Sequence, residues 1–206
     1  MTAPAVNTDL LAYNFNLGTT NFTANIHREA NADAKPFPAI SKTFMHELAR
    51  EGDVLSAEVV LDKGGEIDAA DDEGRRPLHE AAFFGRIEMV KFFVAMGAIK
   101  DAPVHPFGYT ALWFAVSQGH HDVARYLLEK GANISVSDAL NGQTLLHVAA
   151  LRGDMKMTGL LIAAGVNTLG EDRRGMTARD YAARNANSQL ESVLLKVMEH
   201  HARFAA

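Results

Sequence analysis

The chain has 206 residues, with 20 basic and 25 acidic side chains, a net charge of −5 and 48% hydrophobic content. That length allows one large domain or a short repeat array, and that charge argues against a general nucleic-acid binder, which needs many Lys and Arg facing the phosphates. With no cysteine, disulfides, thiol catalysis and thiolate metal sites are excluded, and no run of about 18 apolar residues is present to span a membrane.

Residues 1–39 read as an N-terminal arm rich in Asn, Thr and Ala. The first residues lack the basic-then-apolar order of a secretory leader, so the expected compartment is the cytoplasm. Phe15, Phe22, Ile26 and Phe37 keep two readings open. The arm is flexible, or it packs on the neighbouring part of the chain or on a partner.

From residue 40 to 206 the chain repeats itself. Arg76-Pro77-Leu78-His79-Glu80-Ala81-Ala82 has counterparts beginning at Thr43, Thr110, Thr144 and Thr177, at steps of 33, 34, 34 and 33 residues. Nine residues after each start stand Gly52, Gly85, Gly119, Gly153 and then Ala186. Twenty-one residues after stand Gly64, Gly97, Gly131, Gly165 and then Met198. Two residues before the later starts stand Gly74, Gly108, Gly142 and Gly175.

Each unit reads as two short helices and a turn. Thr110 and Thr144 suit helix N-caps, and Pro77 suits the first helical position. Leu78, Ala81 and Ala82, like Leu146, Ala149 and Ala150, recur at helical spacing. Gly85, Gly119 and Gly153 end the first helix, and a second amphipathic helix such as Val123 to Leu128 follows. One unit cannot bury its apolar face alone, whereas stacked units share a continuous core. The first and fifth units are more polar and read as end caps. The fifth carries Arg179 and Asp180 where Leu and His stand elsewhere, and its second helix is expected around Gln189 to Met198.

The period and the Thr-Pro-Leu-His-x-Ala-like text resemble the ankyrin-repeat family over residues 40–198. The resemblance implies an all-α solenoid of helix-turn-helix units joined by β-hairpin-like turns. It also implies a non-enzymatic module, expected as a monomer, that grips a protein partner on a concave face of turn tips and first helices. In such units the histidine at the His46, His79 and His147 position bonds locally and to the next unit.

The histidines invite a metal reading, but His79-Glu80 and His46-Glu47 lack the second His of a zinc-protease motif, which would fall at Phe83 or Arg50. His120-His121 and His200-His201 read as structural or solvated. No nucleophile elbow or phosphate loop is present. No catalytic residue, metal site or cofactor is expected.

Register places candidate contact residues on the concave face: Arg75, Phe83 and Phe84, then Phe107, Tyr109 and Trp113, then Leu151 and Arg152, then Arg173 and Arg174. Aromatic and Arg side chains are frequent hot spots. Trp113 stands in place of the framework His, and a position wedged between units is the competing reading for it. Residues 47–73 hold ten acidic and two basic side chains, while residues 173–203 hold six basic and three acidic. Such a gradient orients a complementary partner, or is ordinary solvated surface. The rival functions are an inhibitor or immunity factor that occludes an enzyme, a metal-dependent enzyme using the histidines, and a nucleic-acid binder using Arg173, Arg174, Arg179 and Arg184.

Overall fold

The computed structural model describes residues 43–204. The N-terminal arm, with Phe15, Phe22, Ile26 and Phe37, lies outside the described residues. Within them are ten helices in five consecutive pairs. These are α1 (Phe44–Glu51) with α2 (Val54–Asp62), α3 (Pro77–Phe83) with α4 (Ile87–Ala95), and α5 (Ala111–Gln118) with α6 (His121–Glu129). Then come α7 (Leu145–Leu151) with α8 (Met155–Ala163), and α9 (Ala178–Arg184) with α10 (Ser188–Phe204). None of these helices is long and apolar enough to cross a membrane.

Each repeat start is the N-cap of a first helix. A helix start leaves backbone amides without partners, and in the second, fourth and fifth units the fourth residue of the repeat answers part of that need. The Nδ1 atoms of His79 and His147 accept from the amides of Arg76 (2.8 Å) and Thr144 (3.0 Å). In the fifth unit Asp180 accepts the Thr177 amide at 2.8 Å, so a carboxylate replaces the ring. The far ring nitrogen reaches onward. His46 Nε2 meets the Arg75 carbonyl at 2.9 Å, His79 Nε2 meets Ala102 at 2.8 Å, and His147 Nε2 meets Met176 at 2.8 Å. Each histidine thus ties its own helix to the next turn.

The core runs unbroken through the stack. Leu78, Met89, Phe93, Leu112, Leu127, Leu146, Met157, Leu161, Leu190 and Leu194 are buried. Ala81, Ala82, Ala115, Ala149, Ala150 and Ala182 have no exposed surface, and these small side chains let neighbouring first helices close on one another. The first helices pack together more intimately than the second helices do, which makes theirs the inner side of the array.

A second set of bonds runs between units at the ends of the first helices, where carbonyls lack partners. Arg86 Nε donates to the Arg50 carbonyl at 2.7 Å, and His120 Nε2 meets that of Phe83 at 2.9 Å. Arg152 donates to the carbonyls of Ser117 (2.7 Å) and Gln118 (3.2 Å), and Asn185 donates to Leu151. Turn tips are linked as well. Ala139 donates its amide to the Phe107 carbonyl, and Arg173 donates to that of Asn141, both at 2.9 Å. In the third tip the counterpart of Ala139 is His105 and that of Arg173 is Pro106, which has no N–H to give. Among the described residues no backbone bond joins the third tip to the second.

The repeat glycines after each first helix adopt positive φ, as Gly85 does at +68°. A Cβ added there would lie 2.5 Å from His120 Nδ1. Ala186 holds the same register in the last unit at φ +54°, a conformation that costs an L side chain about 1–2 kcal/mol. Ala186→Gly is therefore expected to stabilise the protein by about 1 kcal/mol, and Gly85→Ala to destabilise it by about 1–3 kcal/mol. Thermal melts of both variants check the pair, and a lower melting temperature for Ala186→Gly contradicts the argument.

Candidate partner-binding face

The inner face is built from the exposed side of each first helix and the adjoining turn tip. Along α3, Phe83 and Phe84 point outward, 38% and 37% exposed, with their rings 5.0 Å apart edge to face. Phe83 meets Phe114 of α5 at 5.9 Å, and Phe114 meets Tyr109 at 6.0 Å, both edge to face. Tyr109 stacks nearly parallel on Trp113 (4.8 Å, 10°) and on Phe107 (5.3 Å, 15°). At the other end the Arg50 guanidinium lies over the Phe84 ring at 5.3 Å. Six aromatic rings on two units therefore form one connected surface. Such ring pairs contribute about 0.5–1.5 kcal/mol beyond their area, so neighbouring rings hold one another in place.

The structure brings Phe83, Phe84, Phe107, Tyr109 and Trp113 together as register placed them, but it separates their roles. Phe83, Phe84 and Phe107 are exposed and Tyr109 is half-covered. Trp113 is only 5% exposed, so it does not offer a contact surface and instead backs the Tyr109 ring from inside. Burial and the charge of Asp138 push the Tyr109 phenol up, so it stays a neutral group at the face.

Phe114 was not singled out from the sequence, although it is the ring that joins the two halves. Its column, four residues after each start, reads Glu47, Glu80, Phe114, Val148 and Tyr181. That lack of a framework identity was the available signal.

The charged candidates divide similarly. Arg75 is not free for a partner, because it pairs with Asp71 (3.1 Å), Glu73 (3.4 Å) and Glu80 (3.0 Å). Glu80, 3% exposed, also takes Arg50 at 3.5 Å. Burial raises the Asp71 pKa, but backbone amides of Arg75 and Glu73 and the Arg75 charge win and hold it below its ordinary value. Leu151 is 50% exposed beside Arg152, whose guanidinium is committed to the preceding helix. Arg173 donates to the Ala139 carbonyl at 2.7 Å, and Arg174 pairs with Asp172 at 3.3 Å while its side chain stays 60% exposed. Asp172 is buried, which pushes its pKa up. The Met176 amide, the Tyr181 hydroxyl and Arg174 more than offset this and hold it well below the carboxylate range.

The histidines are engaged elsewhere. His121 pairs with Asp154 at 2.9 Å, and His201 Nδ1 meets Thr168 Oγ1 at 2.8 Å. Among the described residues no group of three or more His, Asp or Glu is placed to hold a metal ion. A groove of about 600 Å³ lies on the second-helix side, between α6 and α8, lined by Arg125, Glu129, Lys156 and Gly159 among others. It lies away from the aromatic surface, and its lining, which also includes Leu128, Ile134 and Leu160, converges on no reactive group.

Family models for ankyrin repeats match residues 45–138, as three copies, and residues 141–172. The chain belongs to the ankyrin-repeat family. It is 32% identical over 170 residues to ankyrin repeat and SOCS box protein 3 of Bos taurus, covering 66% of this chain and 32% of that one. It is 31% identical over 142 residues to the nuclear factor NF-kappa-B p105 subunit of Gallus gallus, covering 68% and 14%. It is 38% identical over 118 residues to the E3 ubiquitin-protein ligase XBAT32 of Arabidopsis thaliana, covering 56% and 23%. The chain spans less than a third of the length of each of these relatives. Ankyrin repeats make a protein-interaction module, and the likeness does not carry the relatives' other activities to this chain.

Proposed function

We propose that this ankyrin array binds a protein partner on its inner face, centred on Phe83, Phe84 and Phe107 with Tyr109 and Phe114 between them. The observation that carries the reading is the continuity of those rings across two units, with three of them exposed. Large aromatic groups seldom stay in water without a use, and contiguous apolar patches mark interaction sites. The rings are also held in place by one another and by Trp113, so little freedom is lost on binding.

The test is affinity capture from the native source with wild type and the Phe83→Ala/Phe84→Ala variant, followed by titration of the captured protein. Both rings lie at the surface, so the variant is expected to fold. Its affinity is expected to fall by at least about tenfold, since hot-spot aromatics contribute about 2 kcal/mol or more each. Unchanged affinity in a folded variant sinks the proposed centre. A captured enzyme whose active site is blocked in the complex makes the module an inhibitor. A partner that keeps its activity makes it a scaffold.

A further inference from the structure

The two ends of the inner face expose an excess of opposite charge, and the structure shows how it arises. In the first two units Glu47 and Glu51 of α1 and Asp72 and Glu73 of the turn tip are exposed. The cations beside them are used internally. Arg75 is shared by three carboxylates, and Arg50 turns to buried Glu80 and to the Phe84 ring. In the last unit the situation is reversed. Asp172 is buried under Tyr181 and two backbone amides, and Asp180 caps its helix. Arg173, Arg174 and Arg184 remain exposed. Each end thus exposes mainly one sign: the Arg50 side chain, 52% exposed, is held by Glu80 and the Phe84 ring, and Glu171 is the exposed carboxylate of the last turn tip. Between them lie the exposed rings and Leu140 and Leu151, 54% and 50% exposed.

From this order we infer that the occupant is an extended segment of the partner protein with a basic end, an apolar or aromatic centre and an acidic end. The basic end lies over units one and two, and the acidic end over unit five. This rests on the inner face being the binding face, as proposed above. Opposite potentials at the two ends fix register and speed encounter. Neighbouring packed helices are about 8–10 Å apart, so four steps along the array span about 40 Å. An extended chain covers that in about 12 residues. A compact domain of uniform charge would meet repulsion at one end.

The experiment uses the full chain and three fluorescein-labelled synthetic peptides of about 15 residues with one shared apolar centre. One has a basic and an acidic end, one has two acidic ends, and one has two basic ends. Binding is read by fluorescence anisotropy. The mixed peptide is expected to bind at least about tenfold tighter than either control, with the margin shrinking in high salt. Arg184→Glu, which breaks no hydrogen bond or ion pair among the described residues, is expected to shift preference toward the peptide with two basic ends. Equal binding of all three peptides, or binding of none, overturns the charge order. Equal binding that is lost in the Phe83→Ala/Phe84→Ala variant overturns the order while sparing the aromatic centre. A charge preference that survives in that variant supports the order and counts against the centre.

Discussion

Leu112→Ala is expected to lower the unfolding free energy by about 3–5 kcal/mol, the range for a fully buried leucine whose surroundings cannot collapse into the space. Leu112 has no exposed surface and sits on α5, the first helix of the central unit. In a stacked array each unit contacts only its neighbours, so stability is a sum of unit terms and interface terms. Loosening the third unit strikes two interfaces, with α3 on one side and α7 on the other. Leu194 is as deeply buried but lies on α10 in the last unit, where the same truncation strikes one. Urea unfolding followed by circular dichroism separates the cases. Leu112→Ala should move the whole transition to lower urea, while Leu194→Ala should split off a small early step. Identical single-step shifts for both would mean that the five units open as one.

Acidification is expected to remove about 3 kcal/mol of stability through His79 alone. Burial pushes its pKa down from 6.5 to about 4, outweighing the Ala102 carbonyl, which favours the charged ring. The bonding geometry gives the reason. Nδ1 accepts the Arg76 amide while Nε2 faces the Ala102 carbonyl, so a proton on Nδ1 sets two donors against each other. The unfolded chain takes up a proton near pH 6.5, whereas the folded chain resists until about pH 4. Between those values the unfolded state holds more protons, so stability is full above the window and declines as pH falls through it. His79→Gln should be weaker at neutral pH yet lose less on acidification. Stability against pH by urea titration checks it, and an unchanged slope in the variant would place the acid sensitivity elsewhere.

The fold was legible because its framework is written four or five times over. A position such as Gly85 is weak alone, but its recurrence at one step fixed the unit, the helix ends and the register. Register alone then put Phe83, Phe84, Phe107 and Tyr109 on one face, since stacked equivalents are neighbours. What stayed hidden depends on rotamers and on contacts between units. The burial of Glu80 between Arg50 and Arg75 has no trace in spacing. The loss of Arg75 as a free cation comes from that burial. Trp113 in a histidine position signalled a departure, but whether it pointed out or in depended on the Tyr109 ring it lies against. The last helix runs to Phe204, beyond the expected end near Met198. Met198 occupies a register where the other units have glycine, so nothing there stops the helix.

The bonds at the ends of the first helices all run one way. Arg86, His120, Arg152 and Asn185 each reach back to the unit before, and none of the four reaches forward. During synthesis a newly emerged unit therefore leaves the ribosome with its helix-end carbonyls still held by water. It is closed only when the next 33 or 34 residues have come out after it. The array is completed from behind, each repeat sealed by its successor, and a ribosome stalled within one repeat leaves the repeat before it unsealed.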